Sequence, residues 1–228
     1  MTRPRATIME LRDIGRRFGT DPPVAALVGV DLQVRAGEWL AIAGPSGSGK
    51  STLLNILGLL DLPTSGTYHL DGINVATLND GERAGLRSRK IGFVFQSFYL
   101  IAHRRVAENV MLSDVYRNSP RRERSERAAS AIAQVGLRER ANFLPTRLSG
   151  GERQRAAIAR AIMGSPSVLL CDEPTGNLDS VTTAAILDLF DELNDSGLTI
   201  VMITHDADVA ARANRRARIV DGRLTEQP

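Results

Sequence analysis

The chain has 228 residues, 43% apolar and 24% charged, which is long enough to bury one sizeable core and too apolar for a disordered protein. Its formal net charge of +3 is too small to indicate a nucleic-acid-binding protein, because such proteins concentrate lysine and arginine on one face. The single cysteine, Cys171, cannot form an internal disulfide, so we expect a reducing, cytoplasmic environment. No apolar run approaches the roughly 20 residues of a membrane-spanning helix, so we expect membrane contact only through a partner.

The first part of the chain predicts two strands that lead into a glycine-rich loop. Apolar and polar residues alternate over residues 30–34, which is typical of a strand with one buried face, and residues 39–43 form a short buried strand. The sequence Gly-Pro-Ser-Gly-Ser-Gly-Lys-Ser-Thr follows at 44–52, and residues 53–59 have a helical pattern. The order strand, glycine-rich loop, helix is the context that a phosphate-binding loop requires.

A hairpin and a long helical stretch follow. The pair Asp-Gly at 71–72 predicts a tight turn between strands at 68–70 and 73–75. The pattern is mainly helical over about residues 84–166, interrupted by a strand at 91–95. We interpret this stretch as a helical insertion.

Two compact apolar runs near the end of the chain predict buried strands. They cover residues 168–171 and 199–203, and a helical segment at 182–193 separates them. Strands that alternate with helices favour an α/β fold with a parallel sheet covered on both faces.

The glycine-rich loop matches the pattern G-x-x-x-x-G-K-[ST], in which each residue type has a physical role. Glycines let main-chain N–H groups point at phosphate oxygens, and the following helix offers the positive end of its dipole. Lys50 is expected to reach the β- and γ-phosphates of a nucleotide, and Ser51 to ligate Mg²⁺. The predicted nucleotide-binding residues of the loop are Gly44, Pro45, Ser46, Gly47, Ser48, Gly49, Lys50, Ser51 and Thr52.

Two carboxylates end the apolar strand at 168–171. Asp172 is expected to hold Mg²⁺, and Glu173 to orient or deprotonate an attacking water. Cys171, directly before them, is interpreted as a small core residue, since buried free cysteines are usually inert.

Six motifs between about residues 8 and 222 resemble those of the ATP-binding-cassette (ABC) ATPases, and they follow one another along the chain in the order that this family has. Besides the phosphate loop and the acid-ended strand, Leu-Ser-Gly-Gly-Glu at 148–152 resembles the family signature, and Asn-Leu-Asp-Ser at 177–180 resembles its D-loop. The residues that this resemblance adds to the predicted site are Phe18, Gln96, Ser149, Gly150, Gly151, Asp179 and His205.

The resemblance also implies roles for these residues. Phe18 would stack on adenine, although a strand-end core aromatic is an open alternative. Gln96 would sense Mg²⁺ and the attacking water, and His205 would bond to the γ-phosphate or that water. The predicted catalytic residues are Glu173, His205 and Gln96, and the predicted metal ligands are Ser51, Gln96 and Asp172.

The fold implied by the resemblance is an α/β P-loop NTPase fold of the ABC ATPase type. It would have a mainly parallel core sheet, an N-terminal antiparallel β part and an inserted helical subdomain. We therefore predict a single domain over residues 1–228, with the sheet core at about 1–95 and 166–228. The helical subdomain that carries the signature would occupy about 96–165.

The signature stretch has its own local chemistry. Ser149 and Glu152 have the spacing of a capping box at the start of a helix over 153–162. Gly150 and Gly151 fall in the first turn, where glycine lowers helix stability, and the close approach of an anion would explain them. In the family this terminus completes an ATP site held by another cassette, so the resemblance implies an ATP-dependent homodimer.

The segments at 60–66, 91–97 and 172–179 look most like ATPase subunits of the macrolide-exporter and lipoprotein-release group. This likeness implies an integral membrane permease as partner and a position on the inner face of the cell membrane. Arg104 and Arg105 depart from the group's pattern beside the groove that receives the permease, so they leave that partner's identity open. A soluble ABC ATPase acting on DNA, ribosomes or protein assemblies stays an alternative, as does a cassette that gates a signalling or division complex.

Two groups of charged residues are interpreted as ordinary surface. Arg122 with Glu126, and Glu123 with Arg127, are four apart on a predicted helix and favour weak ion pairs. The second group consists of Arg212, Arg215, Arg216 and Arg218.

Overall fold

The computed structural model describes residues 5–117 and 119–227, so residues 1–4, 118 and 228 of the predicted domain lie outside the described residues. Within those ranges the chain forms two β-sheets, seven α-helices and several short 3₁₀ turns. None of the helices in the same ranges combines the length and the apolar character that a bilayer span requires.

The smaller sheet is antiparallel. Its long strands are β1 (Thr7–Phe18) and β2 (Val24–Arg35), and β4 (Ser65–Leu70) with β5 (Ile73–Asn74) forms the predicted hairpin. The strand order is β2-β1-β4-β5. The turn residues 71–72 have φ angles of 49° and 76°, which a tight two-residue hairpin turn requires. This sheet confirms the antiparallel part that the sequence predicts near the N-terminus.

The larger sheet carries the core of the molecule. Its strands are β3 (Trp39–Ala43), β6 (Ile91–Phe95), β7 (Val168–Asp172), β8 (Thr199–Thr204), β9 (Arg215–Val220) and β10 (Arg223–Gln227). They lie in the order β10-β9-β3-β8-β7-β6, and every neighbouring pair is parallel except β9 with β10. The predicted, mainly parallel α/β core is therefore confirmed.

Helices cover this sheet. They are α1 (Lys50–Leu57), α2 (Asp80–Lys90), α3 (Val106–Met111), α4 (Arg121–Gln134), α5 (Gly150–Ile162), α6 (Ser180–Asp195) and α7 (Ala207–Ala211). The chain between β6 and β7 contains α3, α4 and α5, which is where the sequence predicts the helical subdomain. Its independence as a subdomain stays a prediction.

The strands of the larger sheet alternate their side chains between two apolar cores, one on each face. In β3, Leu40 and Ile42 lie in the core shared with α1 and the smaller sheet, whereas Trp39 lies in the core under α3 to α6. Cys171 is fully buried in the second core, and this burial raises the pKa of its thiol. Cys171 therefore packs as the small core residue that the sequence predicts.

Two elements end differently from their sequence patterns. The first helix covers Lys50–Leu57 instead of residues 53–59. It begins early because Gly49, with φ 104°, is its N-cap, and it ends early at Gly58, which serves as its C-cap. Val75, predicted as the end of the hairpin, instead begins a 3₁₀ turn after Asn74 caps it.

The charged surface groups are largely as predicted. On α4, Arg122 and Glu126 are 2.9 Å apart, and Glu123 and Arg127 are 3.8 Å apart. One exception is Arg215, whose side chain is only 23% exposed. Its guanidinium donates to the main-chain oxygen of Gln33 at 2.7 Å and pairs with Glu38 at 3.0 Å. Arg215 therefore ties the larger sheet to β2 and is not an ordinary surface residue.

Candidate functional site

The phosphate loop and the predicted catalytic and metal-binding residues follow the carboxyl ends of four neighbouring parallel strands. In spatial order, β3 leads to the loop that begins at Gly44, β8 leads to His205, β7 ends at Asp172 and Glu173, and β6 leads to Gln96. The strand register aligns these ends, since Ala43 lies opposite Thr204 and the β7 end lies opposite the β6 end. Residues separated by more than 150 positions in the sequence are therefore placed along one edge of the sheet.

The glycines of the loop have structural reasons that the pattern alone does not reveal. A β-carbon on Gly44 would collide with the carbonyl oxygen of Ile219, and one on Gly49 would collide with that of Ala26. Gly47 has open space around it but a φ of 77°, which side chains rarely adopt. The loop is therefore packed closely against β9 and β2.

Lys50 lies at the mouth of this loop. Its ammonium donates to the carbonyl oxygens of Gly44, at 2.8 Å, and Pro45, at 2.7 Å. Ser48 is buried, and its hydroxyl oxygen has no hydrogen-bond partner among the described residues. A buried hydroxyl without a partner costs free energy. The remaining predicted loop residues are exposed or half-buried, and they are Ser46, Ser51 and Thr52.

The two carboxylates after β7 lie in different surroundings. Burial raises the pKa of Asp172, the neighbouring charge of Glu173 raises it further, and Lys50 opposes both effects. Glu173 has a φ of 45°, an uncommon conformation for a residue with a side chain. Its main-chain N–H donates to the carbonyl oxygen of Ile203 at 2.9 Å. The backbone is thus held in a strained turn, and two adjacent carboxylates, those of Asp172 and Glu173, lie at the carboxyl end of β7.

Glu173 and His205 are in direct contact. The Glu173 carboxylate oxygen Oε2 and the His205 ring nitrogen Nδ1 are 2.5 Å apart. The glutamate side chain is 20% exposed and the histidine side chain 66%. The sequence predicts both residues for the site but not this contact, which depends on β7 and β8 being neighbours.

Gln96 forms hydrogen bonds with Asn177, a residue that we predicted only as part of the D-loop. Its side-chain nitrogen donates to the Asn177 side-chain oxygen at 3.3 Å, and the Asn177 side chain donates to the Gln96 carbonyl at 3.2 Å. The chain after β6 is therefore tied to the chain between Glu173 and α6.

The predicted capping box at the start of α5 is present. Ser149 accepts a hydrogen bond from the main-chain N–H of Glu152 at 3.1 Å, and the Glu152 carboxylate accepts one from Ser149 at 2.9 Å. Arg140 donates to the same carboxylate at 2.8 Å. These bonds, first that from the Ser149 main chain and then that from Arg140, lower the pKa of Glu152.

The two signature glycines lie against the start of α6. A β-carbon on Gly151 would come within 2.6 Å of the Thr182 methyl group, and one on Gly150 within 3.3 Å of Leu178. Thr182 is held by Asp179, the N-cap of α6, which accepts from its main-chain N–H at 2.9 Å and from its hydroxyl at 2.7 Å. Packing inside the chain therefore accounts for Gly151, so the approach of an anion is not the sole explanation.

Phe18 ends β1 and is 43% exposed. The guanidinium carbon of Arg16 lies 4.4 Å from the centre of its ring. The core-aromatic alternative is therefore wrong, because a core side chain would be buried. One face of an exposed ring carries a cation, which is compatible with a stacking role for the other face.

Two arginines on α5 were not singled out by the sequence analysis. Arg160 donates to the main-chain oxygens of Phe98, at 2.9 Å, and Tyr99, at 2.5 Å, and Arg153 lies 5.1 Å from the Phe98 ring centre. Arg153 and Arg160 are seven positions apart, so both lie on one side of the helix. This spacing was visible in the sequence and could have marked the two arginines as a pair. Through them the signature helix holds the segment that follows Gln96.

A phosphate loop wedged at the end of a buried parallel strand, with an acid-ended strand two positions along the sheet, defines a P-loop nucleotide-binding protein. Comparison with known families agrees and is more specific. The family model described as "ABC transporter" matches residues 27–176. The chain belongs to this family.

Similar proteins support the assignment of the chain to this family. The pyoverdine export ATP-binding/permease protein PvdT of Pseudomonas aeruginosa is 48% identical over 219 residues, covering 95% of this chain and 33% of that protein. The ABC transporter ATP-binding protein YvrO of Bacillus subtilis, itself uncharacterised, is 51% identical over 201 residues, covering 88% of each. A solved dimeric structure of the bacterial ABC transporter cassette MJ0796 has a TM-score of 0.86 and 40% identity, covering 96% of this chain and 97% of that one. The chain thus spans about a third of the export protein.

Proposed function

We propose that this chain binds Mg²⁺-ATP and hydrolyses it as one half of a homodimer, and that the cycle drives a membrane permease. The observation that carries the hydrolytic part is the contact between Glu173 and His205, at the sheet edge that also holds Asp172 and the phosphate loop. A carboxylate and an imidazole at hydrogen-bond distance can together orient an attacking water and accept its proton. The likeness to a cassette solved with ADP and phosphate bound is consistent with this reaction.

The donor set fits Mg²⁺ held together with a nucleotide. Ser51, Gln96 and Asp172 offer oxygen atoms, which Mg²⁺ prefers. Among the described residues no three His, Cys, Asp or Glu side chains converge to hold a metal by themselves. One carboxylate combined with phosphate oxygens is a usual way of binding Mg²⁺. Bound in this way, the ion would neutralise charge that develops on the β- and γ-phosphates.

The remaining residues of the site bind and orient the nucleotide in this proposal. Lys50 exchanges its two carbonyl partners for phosphate oxygens, and the main-chain N–H groups of residues 46–52 surround the same phosphates. Phe18 stacks on the adenine with the ring face that Arg16 leaves open. Gln96, after the end of β6, would help to hold the ion and would orient the attacking water.

The signature segment supports the proposal of a dimer. The start of α5 has a satisfied cap and two glycines, and the contacts of those glycines are with the start of α6 rather than with the chain's own phosphate loop. We assign Ser149, Gly150 and Gly151, with Asp179 beside them, to the ATP held by the partner copy's Lys50. The dimeric form of the similar cassette is consistent with this assignment.

The membrane partner is proposed from the relatives. Several of them are macrolide export ATP-binding/permease proteins, whose names join the two functions, and this chain covers about a third of their length. We propose that a permease of that export type is supplied as a separate chain or segment. The cassette would then work on the cytoplasmic face of the membrane.

Replacement of Glu173 by glutamine tests the hydrolytic proposal. The variant keeps the shape of the side chain but removes the proton acceptor, so ATP turnover should fall by about 10²–10⁴-fold. ATP binding should persist, and light scattering with saturating ATP should detect an accumulated dimer. The control is Glu139→Gln, which changes an exposed carboxylate and should leave turnover unchanged. A Glu173→Gln variant that hydrolyses ATP normally, or that remains monomeric with ATP bound, would contradict the proposal.

A further inference from the structure

Gln154 is a fully buried polar residue on α5. Its side-chain nitrogen donates to the main-chain carbonyl oxygen of Pro174 at 2.6 Å. A carbonyl oxygen only accepts hydrogen bonds, so the nitrogen of the amide, and not its oxygen, must face Pro174. Pro174 directly follows Glu173, which we propose as the residue that activates the attacking water. The bond therefore joins α5 to the main chain one residue after a catalytic side chain.

The requirements of the core do not explain a glutamine at this position. Every other buried residue of α5 is alanine or isoleucine. The Oε1 atom of Gln154 is buried and has no hydrogen-bond partner in the part of the chain that the structure describes. A buried oxygen without a partner costs free energy, whereas an apolar side chain of similar length would fill the space without that cost. The bond to Pro174 is therefore what distinguishes glutamine from an apolar residue here.

The backbone of Glu173 depends on restraints from its surroundings. Its φ of 45° costs free energy for a residue with a side chain, and such a conformation persists only where neighbouring groups fix it. Before the strained angle, the main-chain N–H of Glu173 donates to the carbonyl oxygen of Ile203 at 2.9 Å. After it, the Gln154 amide holds the carbonyl group of Pro174. The strained residue thus lies between one bond to β8 and one bond to α5.

The same face of α5 carries the signature glycines. Gly150 and Gly151 precede Gln154 by four and three positions, so the three residues lie on one side of the helix. Gly151 packs against Thr182, and Gly150 lies near Leu178. The bond of Gln154 and the contacts of the two glycines therefore hold the chain between β7 and α6 along this one face.

We propose that Gln154 is a positioning residue for Glu173. Its amide keeps the glutamate in the backbone conformation that places the carboxylate beside His205 and the attacking water. Without the amide, the backbone of Glu173 relaxes toward an ordinary φ and the carboxylate moves away from His205. A displacement of about 1 Å in a reacting group can slow a reaction by on the order of 10²-fold. This inference rests on the proposed function and adds a residue that touches neither the nucleotide nor the water.

The variant Gln154→Met tests the inference in the purified chain. Methionine has a similar length and no donor, so the variant removes the bond and the unpaired oxygen together. At saturating ATP, kcat should fall at least about tenfold, because the carboxylate is displaced. The equilibrium dissociation constant for ATP should change less than about twofold, since Gln154 makes no bond to the phosphate loop. A wild-type kcat, or a parallel loss of ATP binding, would overturn the inference.

Thermal unfolding separates positioning from a role in the fold. The variant Gln154→Met leaves the Pro174 oxygen without its partner but removes another buried oxygen that has none, so the melting temperature should stay within about 4 °C of wild type. Gln154→Leu removes the same bond and should behave in the same way. Failure of both variants to fold would show that the bond serves the fold alone, and would overturn the inference.

The matched control is Asn194→Leu. The Asn194 amide nitrogen donates to the carbonyl oxygens of Leu198, at 2.9 Å, and Gly37, at 3.3 Å. These residues precede β8 and β3, at the edge of the sheet opposite the site. The variant loses amide-to-carbonyl bonds of the same kind, so its stability should fall while kcat stays within about twofold of wild type. An equal loss of kcat in Asn194→Leu and Gln154→Met would mean that any weakened core slows turnover, which contradicts positioning.

A double-mutant cycle shows whether Gln154 acts through Glu173. In the Glu173→Gln background the carboxylate is absent, so adding Gln154→Met should lower the residual single-turnover rate by less than about twofold. A tenfold loss that persists in this background would mean that Gln154 acts through another group, and would overturn the inference. The same measurements keep the two proposals apart. Normal turnover by Glu173→Gln alone would overturn the proposed function, whereas a slow Glu173→Gln protein beside a normal Gln154→Met protein would overturn only this inference.

Discussion

Asp172 shows how the site works against the stability of the chain. The residue ends a buried strand, and both its burial and the charge of Glu173 raise the pKa of its carboxyl. The folded protein therefore holds a proton on Asp172 more tightly than the unfolded chain does. At neutral pH the ionised carboxylate destabilises the fold, and Lys50 only partly offsets this effect.

Replacing Asp172 with asparagine should therefore increase thermal stability at pH 7 while abolishing Mg²⁺-dependent ATP turnover. The stability difference should be full above the folded pKa of Asp172 and should shrink as the pH falls through that pKa toward the unfolded value near 3.8. Thermal unfolding without nucleotide at several pH values checks this. The control Glu139→Gln should show no such dependence, and a less stable Asp172→Asn protein at pH 7 would contradict the expectation.

Individual site residues were more predictable than their contacts. The loop residues and the pair Asp172 and Glu173 follow from local patterns whose chemistry is nearly unambiguous. The contact between Glu173 and His205 depends on β7 lying beside β8, and the spacing of 32 positions in the sequence carries no sign of it. The same holds for the bond between Gln96 and Asn177, which joins chain segments 81 positions apart.

At the scale of elements, the starts of α5 and α6 lie against each other. Gly151 on one helix faces the methyl group of Thr182 on the other, and Thr182 cannot easily turn away because Asp179 holds its hydroxyl and its main-chain N–H. The packing of the two helices thus depends on a missing side chain at one position.

Replacing Gly151 with alanine should destabilise the chain. Alanine favours a helix over glycine by about 1 kcal/mol or less near its end, but overpacking against the fixed methyl group costs about 1–3 kcal/mol. We expect a net loss of about 1 kcal/mol in the free energy of unfolding, measured by urea denaturation.

The matched variants locate the cause. Thr182→Ser removes the methyl group but keeps the hydroxyl that bonds to Asp179, so it should restore most of the stability of the Gly151→Ala protein. Gly150→Ala, which would meet only the flexible side chain of Leu178 at 3.3 Å, should be nearly neutral. If Gly150→Ala and Gly151→Ala lowered the free energy of unfolding equally, the contact between α5 and α6 would not be the cause of the destabilisation.

Elements with continuous apolar runs were predicted within about one residue. The strands at 168–171 and 199–203 lie in the middle of the sheet, and only central strands of a covered sheet are apolar on both faces. No strand was predicted after residue 203, yet β9 and β10 are there. In β9 only Ala217 and Ile219 are buried. Because arginines precede and separate these two residues, the alternation of apolar and polar residues that predicts a strand is weak in this segment.

At the scale of the whole molecule, the two proposed phosphate-binding regions are the loop with Lys50 and the start of α5 with Ser149. If each ATP lies between the loop of one copy and the signature of the other, the two sites of a dimer use residues from both chains. Variants that damage different regions should then complement each other when they are mixed.

Lys50→Met and Ser149→Arg provide this test. Each variant alone should lose ATP turnover by at least about 10²-fold, since charge stabilisation is removed or blocked at both sites of its dimer. A mixed dimer has one intact site, so an equal mixture should regain up to about a quarter of wild-type turnover by random pairing. Ser149→Arg should still bind ATP at its own loop, as measured by equilibrium binding.

The control for complementation is a mixture of Lys50→Met with Lys50→Ala, which damages the same region twice and should stay inactive. Normal turnover by Ser149→Arg alone would show that the signature segment takes no part in the site. Loss of all nucleotide binding by a folded Ser149→Arg protein would contradict the division of the site between two chains.

The segment between Gln96 and α3 is held through its main chain. Asn109 bonds to peptide groups at residues 101, 104 and 105, and Arg160 bonds to those at 98 and 99, so none of these bonds depends on which side chains the segment carries. Substitutions at its exposed positions can therefore accumulate during evolution without disturbing the sheet edge. The surface chemistry of this segment can thus change at a few exposed positions while the catalytic residues remain as they are.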